Sequence, residues 1–405
     1  MKKVLIGLLV LAVAGGGVFA QEWRFSGEMR TGLGLFFGEE VEEPEVRMLT
    51  DDPNAGTRAQ LRTQATNADG TAGLDFMFRA QGGASPADVT LPHGFGWINF
   101  MDNMITLQGG RIDDAAGFNS FDRMAGARMG EGTGLRTLIR PMDGLVFNLG
   151  LFGHPSAAGD RVGVLGFEPN AYNDGQIRAV FAVRYEEPDL FRFVVGGRTA
   201  NSAFDQTSGF DGWTDDGVAL GYHDHSSAAY FSFEYLGLAG DGIHIAASAF
   251  FLNLEEFGDD GFMFFYGSFG HNALVDGMDL TAGVGFGMSQ NEIHDDFYLW
   301  IWGSVAYRLS DMVVPRLDLH YVMGGATSGE LQTMHPRNVA RGGASFHSDD
   351  SFVRIQPAVQ FQVQANTFFE VGAVFNIDLG DNPTWFGMEE TGVRGAVYAL
   401  MRVAF

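Results

Sequence analysis

Cysteine is absent from the chain. With no thiol there is no disulfide framework and no thiolate metal site, so backbone pairing and side-chain packing must hold the fold. Lysine is nearly absent: Lys2 and Lys3 are the only two, and every later cation is an arginine. Cations as a whole are scarce, 25 against 50 acidic residues, for a formal net charge of −25. So acidic a chain repels a phosphate backbone instead of neutralising it, which excludes nucleic acid as a partner. After residue 20 no run approaches the roughly 18 apolar residues of a membrane-crossing helix, and no segment shows clear helical periodicity. Neither a G-x-S-x-G elbow nor an EF-hand spacing occurs, so no hydrolase nucleophile and no helix-loop-helix calcium site is written in the sequence.

What is present starts with one short apolar run. Lys2 and Lys3 precede "VLIGLLVLAVAGGGV", and Val18-Phe19-Ala20 precedes Gln21. A positive start, an apolar middle and small residues at the −3 and −1 positions are the parts of a secretory signal peptide. Residues 1–20 are therefore expected to be cleaved, leaving 21–405 as one β-barrel domain; without a cysteine after the cut this is not a lipoprotein signal. Glycine, at 57 residues, and phenylalanine, at 37, are both abundant. Glycine suits turns and crowded barrel interiors, and phenylalanine suits a surface against lipid.

The remaining chain alternates. In "EWRFSGEMRTGLGLFF", Trp23, Phe25, Met29, Leu33, Leu35 and Phe37 share one parity, and Glu22, Arg24, Ser26, Glu28 and Arg30 share the other. Successive strand side chains point to opposite faces, so the segment has one greasy side and one wet side. The same alternation recurs in "TRAQLRTQAT", "GLDFMFRAQ", "IRAVFAVRYE" and "FVRIQPAVQFQV", among nineteen candidate segments. Short turns such as Asn67-Ala68-Asp69-Gly70, Asp102-Asn103, Met142-Asp143-Gly144 and Ser310-Asp311 alternate with long stretches near 38–55, 82–92, 112–133, 153–175, 200–227, 324–337 and 379–393. A soluble β-sandwich also alternates. Strand length, aromatic strand ends (Trp23, Phe36, Phe37, Trp97, Tyr185, Tyr307, Tyr321) and a terminal strand ending on Phe405 favour instead an all-β, transmembrane, antiparallel up-and-down β-barrel. With both termini on one side the strand number must be even, 16 or 18, which leaves 217–223 or 339–347 as a surplus segment.

These residues resemble a known family, the general diffusion porins of Gram-negative outer membranes. The resemblance is carried by the signal peptide, by the final "VYALMRVAF", and by "GFGWINFMDNMITLQGGRIDDAAGFNSFDRMAG" followed by "GLRTLIRPMDGLVFNLGLF". The Pro-Glu-Phe-Gly-Gly-type sequence of many porin third loops is absent. What the resemblance implies is an outer-membrane location, a third loop at about 112–133 folded into the pore, and a homotrimer. It also implies a C-terminal Phe405, with Val403 and Met401 on the same lipid-facing side, that closes the barrel and is read by the assembly machinery.

On the wet face stand the strand arginines. An Arg facing lipid at mid-bilayer costs ~2–4 kcal/mol, so a wall carrying this many requires an aqueous lumen. With the loop folded inward, Asp113, Asp114 and Asp122 would face Arg58, Arg62, Arg79, Arg136 and Arg140. Acid opposite guanidinium makes a transverse field that sorts solutes by charge and size. The bland alternative is that each Arg braces the wall by pairing with a neighbouring acid. The acidic stretch "GEEVEEPEVRMLTDDPN" reads as a solvated loop rather than a calcium or magnesium site, and His223-Asp224-His225 and His294-Asp295-Asp296 lack a third metal ligand. The expectation is a channel for passive diffusion of small hydrophilic solutes and ions, in outer-membrane lipid, without cofactor, metal or enzymatic activity. Two rivals stand beside it: a substrate-specific channel for a sugar or an anion, with Trp300, Trp302 and Arg308 as a binding track, and a structural or adhesive barrel with a plugged lumen.

Overall fold

The computed structural model describes the strands and most of the short turns. Residues 1–21, 39–44, 50–57, 82–87, 113–131, 154–176, 200–226, 238–241, 255–260, 291–296, 324–350, 365–366 and 380–392, and the single positions 236, 253, 273 and 405, lie outside the described residues. The signal peptide, the loop acids Asp113, Asp114 and Asp122, both histidine motifs, the segments 217–223 and 339–347, and Phe405 therefore fall outside the description.

The described residues form nineteen extended segments. The first half holds β1 (Glu22–Gly38), β2 (Glu45–Leu49), β3 (Arg58–Thr66), β4 (Ala72–Gln81), β5 (Asp88–Phe100), β6 (Ile105–Ile112), β7 (Gly132–Met142), β8 (Leu145–Gly153) and β9 (Ile177–Glu187). The second half holds β10 (Phe191–Arg198), β11 (Ala228–Tyr235), β12 (Ile243–Leu252), β13 (Gly261–His271), β14 (Met278–Gln290), β15 (Phe297–Tyr307), β16 (Val313–Met323), β17 (Ser351–Gln364), β18 (Thr367–Asp378) and β19 (Val393–Ala404). From β3 to β19 each strand pairs antiparallel with the next, and β19 returns to pair with β1, so the sheet is closed.

The odd number resolves at β1. Its far half, Gly32 to Phe36, pairs with β2, and its near half, Glu22 to Arg30, pairs with β3. Thus β2 and β3 occupy one position in the wall, and the barrel has 18 strands. The sequence placed a plain loop at 38–55, and the structure puts β2 inside it. Five residues with alternation broken by Leu49 are too short a signal to stand out. The wall is continuous where β10 pairs directly with β11 and β16 directly with β17; the candidate segments 217–223 and 339–347 lie outside the described residues.

Connections at the end where β1 starts are short, with 236–242 the longest; those at the other end include 154–176, 199–227 and 324–350. Tight turns need unusual backbone. Met101, Asp102 and Asn103 are three successive non-glycine residues with positive φ, between 51° and 70°, and Gly144 takes φ 76° in the two-residue turn between β7 and β8.

Exposure separates barrel from sandwich. Leu135 is 70% exposed, Leu151 59%, Phe25 56% and Leu149 53%, whereas on the opposite parity Glu234, Asp318, Arg354 and Glu370 are each 2% exposed. Apolar outside and polar inside is the reverse of a soluble protein, and it fits only a lipid surround. Trp23 and Phe25 stack on that outer face, and Tyr185 packs beside Phe191 and Phe193 near the short-turn end. Leu149 lies at the middle of β8. Leu149→Arg is expected to cost ~2–4 kcal/mol in urea unfolding from lipid vesicles; a cost near zero would mean that this face does not meet lipid.

Candidate functional site: the lumen wall

The parity that faces lipid with leucine faces the lumen with charge, and neighbouring strands bring those charges together. On β3, Arg62 lies diagonal to Asp75 of β4, across the reach of a long side chain. Its fork donates Nε to Oδ1 at 2.9 Å and Nη2 to Oδ2 at 2.5 Å, and Gln64, directly opposite Asp75, donates to Oδ2 at 2.7 Å. At the closing seam Glu28 of β1 accepts from Arg30 Nη2 at 3.0 Å, from Arg402 Nη2 of β19 at 2.7 Å, and from Gln60 Nε2 of β3 at 3.0 Å. One carboxylate thereby ties three strands.

Two further clusters repeat the plan. Glu234 of β11 accepts from Arg192 Nε of β10 at 2.6 Å and also meets the His244 ring of β12. Arg316 of β16 reaches Asp318 at 3.3 Å and Glu370 of β18 at 3.2 Å. Glu370 also accepts from Tyr398 Oη of β19 at 2.8 Å, and Tyr398 in turn accepts from Gln356 Nε2 of β17 at 2.9 Å. These acids are nearly sealed from water, so the bonds replace hydration that burial removes.

Arg136 and Arg140 on β7 differ. Arg136 donates Nε to Gln108 Oε1 at 2.7 Å, and Arg140 donates Nη1 to Thr106 Oγ1 at 2.7 Å and to the Asn103 carbonyl at 3.3 Å. Among the described residues Arg140 has only neutral acceptors. It borders two cavities. One of about 340 Å³ is lined by Arg136, Arg140, Asn148, Arg184 and Glu186, and the other, of about 370 Å³, by Asp75, Trp97, Asn99, Thr106, Gln108 and Arg140. Arg184 bonds Glu186, so the first cavity carries an excess of guanidinium over carboxylate.

The structure thus brings Arg136 and Arg140 together and pairs Arg62 with a wall acid instead of holding it free. Arg79, half-buried, has Nη2 3.9 Å from Met77 Sδ. Arg58 is in register with Arg30 and Gln81, and its side chain lies outside the described residues. Met401 and Val403 face outward, in register with Thr31 and Met29 of β1. Two further readings are corrected. Trp97 is not a girdle residue, because Ile98 and Phe100 hold the outer parity of β5 and turn Trp97 to the lumen. Arg308 does not line a wall track, since β15 ends at Tyr307 and Arg308 enters the turn, its N–H bonded to Gly277 O at 2.7 Å. Sequence reading passed over Thr106 and Gln108. Their parity, shared with the arginines they bond, was the available signal.

A closed 18-strand antiparallel barrel with outward leucine and inward arginine is the fold of Gram-negative outer-membrane porins. Three solved structures from Pseudomonas aeruginosa show the likeness. They are the outer membrane protein OprD (TM-score 0.55, 10% identity, 96% of this chain and 95% of that one), OpdQ (0.53, 8%, 95% and 99%) and the outer membrane protein opdK (0.52, 9%, 96% and 100%). At such identities the likeness is one of fold. No protein-family model matches the sequence, and no curated protein does.

Glu28 supplies a test of the wall. Glu28→Gln keeps the shape but removes the charge facing Arg30 and Arg402, and is expected to cost ~1–3 kcal/mol in urea unfolding from vesicles. Glu22→Gln, at an exposed pair with Arg24, is expected to change little. Equal effects would show that burial at the seam contributes nothing.

Proposed function

We propose that the protein is an outer-membrane channel through which small hydrophilic solutes and ions diffuse passively. The observation that carries this reading is the inverted polarity of the closed wall: leucine and phenylalanine outside, and an inner face of arginine, carboxylate and amide. Such an interior has no use in a barrel filled with apolar side chains and suits a water-filled lumen. In a planar bilayer the purified protein is expected to give discrete ohmic steps. A protein that inserts but never conducts would favour the plugged structural or adhesive barrel.

Among solutes, small anions have a specific observation on their side. Arg140, bonded to neutral oxygens, borders both cavities, and the first of them has more guanidinium than carboxylate. A sugar track along Trp300 and Trp302 has less support, because those residues are 1% and 4% exposed. The inward-folded loop, with Asp113, Asp114 and Asp122 facing Arg58, Arg62, Arg79, Arg136 and Arg140, remains our picture of the constriction. Arg140→Gln is expected to lower the anion-to-cation permeability ratio about two-fold, read from the reversal potential in a salt gradient. Neutralising Arg58, Arg62 and Arg79 together should also move it; an unchanged ratio in both variants would end the constriction reading.

The homotrimer and the reading of Phe405 by the assembly machinery rest on the porin resemblance of the sequence. No cofactor, metal or enzymatic step forms part of this reading. Deleting Phe405 is expected to lower the amount of protein in the membrane far more than the conductance of the molecules that assemble. Normal membrane levels would count against an address role for that residue.

A further inference from the structure

Besides its charges, the lumen face carries a second pattern: aromatic rings in register with glycines. Trp97 stands opposite Gly73, Tyr230 opposite Gly196, Trp302 opposite Gly283 and Tyr398 opposite Gly372. Strand side chains stand roughly perpendicular to their sheet, so a lumen-facing Trp or Tyr projects across the bore unless something lets it turn aside. These four turn aside onto the neighbouring strand. A Cβ added at Gly73 would lie 2.6 Å from Trp97 Cζ2, and one at Gly283 2.5 Å from Trp302 Nε1. Added at Gly196 or Gly372 it would lie 2.6 Å from the hydroxyl of Tyr230 or Tyr398.

The atoms met lie along the Nε1–Cε2–Cζ2 edge of the tryptophans and at the hydroxyl ends of the tyrosines. Each side chain therefore spans the strand spacing of ~4.8 Å and lies along the wall. None of the four glycines has a positive φ, so space and not backbone conformation decides there. At Gly283 and Gly372 the ring is the nearest obstacle, whereas at Gly73 and Gly196 the carbonyls of Ala65 and Phe181, at 2.5 Å, crowd the position as closely as the ring does. Relief of barrel curvature also uses glycine, but has no need of an aromatic partner. Gly267 and Gly303, on the outer face, show that difference, since a Cβ there would meet nothing closer than 4.0 Å.

We propose that Gly73, Gly196, Gly283 and Gly372 set the bore of the channel, as positioning residues that hold the aromatic rings flat against the wall. The glycines lie on β4, β10, β14 and β18, so the slots are distributed around the circumference rather than gathered at one side. The reclined rings are also held at their ends: Tyr398 bonds Glu370 and Gln356, and Trp302 stacks on Trp300 with ring centroids 6.2 Å apart. A ring lifted from its slot would lose these partners and enter the path of solutes. The inference rests on the channel reading above.

Single-channel conductance of four proteins tests it: the full chain, Gly283→Ala, Gly283→Ala with Trp302→Ala, and Gly267→Ala as the outer-face control. Gly283→Ala is expected to conduct roughly two-fold less, the double variant to regain at least the parent conductance, and Gly267→Ala to match the parent. Should Gly283→Ala fail to assemble, Gly372→Ala with and without Tyr398→Ala gives the comparison at the other slot where the ring is the nearest obstacle. A parent that does not conduct overturns the channel reading and this one with it. A conducting parent with unchanged Gly283→Ala, or a loss that removing the ring does not reverse, overturns only the bore-setting role. Lowered thermal stability at unchanged conductance would also overturn it, as that marks a packing role alone.

Discussion

Closure of the sheet is the constraint on which everything else depends. In a bilayer an unpaired backbone N–H or C=O has no water to turn to, so a sheet that crosses it must leave no edge. The last strand therefore has to find the first: Glu28 to Gly38 pair with Ala404 to Arg394. That pairing forces β1 to serve two neighbours at different heights, β3 and β2 on one side and β19 on the other. The resulting stagger is the shear by which a tilted barrel closes. Glu28 sits where these obligations meet, and its three bonds tie the seam on the lumen side, at a carboxylate buried enough that water competes little.

Once closure fixes which face is inside, the interior has to reconcile two demands. Charged and aromatic side chains must remain in the wall for stability, yet they must not fill the space they enclose. Ion pairs answer the first demand by running along the wall between adjacent strands, as in Arg62 with Asp75 and Arg192 with Glu234. Glycine slots answer the second for the rings. Tyr398 belongs to both schemes, reclining over Gly372 while its hydroxyl donates to Glu370. Against so much mutual neutralisation, Arg140 stands out as a cation whose partners among the described residues carry no charge, and it lies where the wall opens into cavities.

Much of this was legible in the sequence because a barrel strand is read at period two. Parity alone placed Arg62, Arg136 and Arg140 inside and Phe25, Phe181 and Met401 outside. Partnership was not legible, because it depends on register. Arg62 meets Asp75 by a diagonal that no linear spacing reveals, and Gly283 lies under Trp302 only because β14 and β15 pair at that offset. Trp97 was misplaced for a related reason: an aromatic near a strand end has the composition of a girdle residue, and only its parity relative to Ile98 tells that it faces inward. The segment β2 escaped notice because five residues carry too little alternation to separate from an acidic loop.

Register also gives a physical reason for the near absence of lysine. Strands lie ~4.8 Å apart, and a diagonal neighbour on the next strand is ~7–8 Å away. A planar guanidinium can cross that distance and still place two N–H groups on one carboxylate, as Arg62 does, or touch acids on two strands, as Arg316 does with Asp318 and Glu370. An ammonium is a point donor with a stronger hold on its own water and would secure one oxygen at a time. In a wall whose charges must lie flat and bind sideways, the fork is the useful shape. The chain's cations beyond Lys3 are all of that kind.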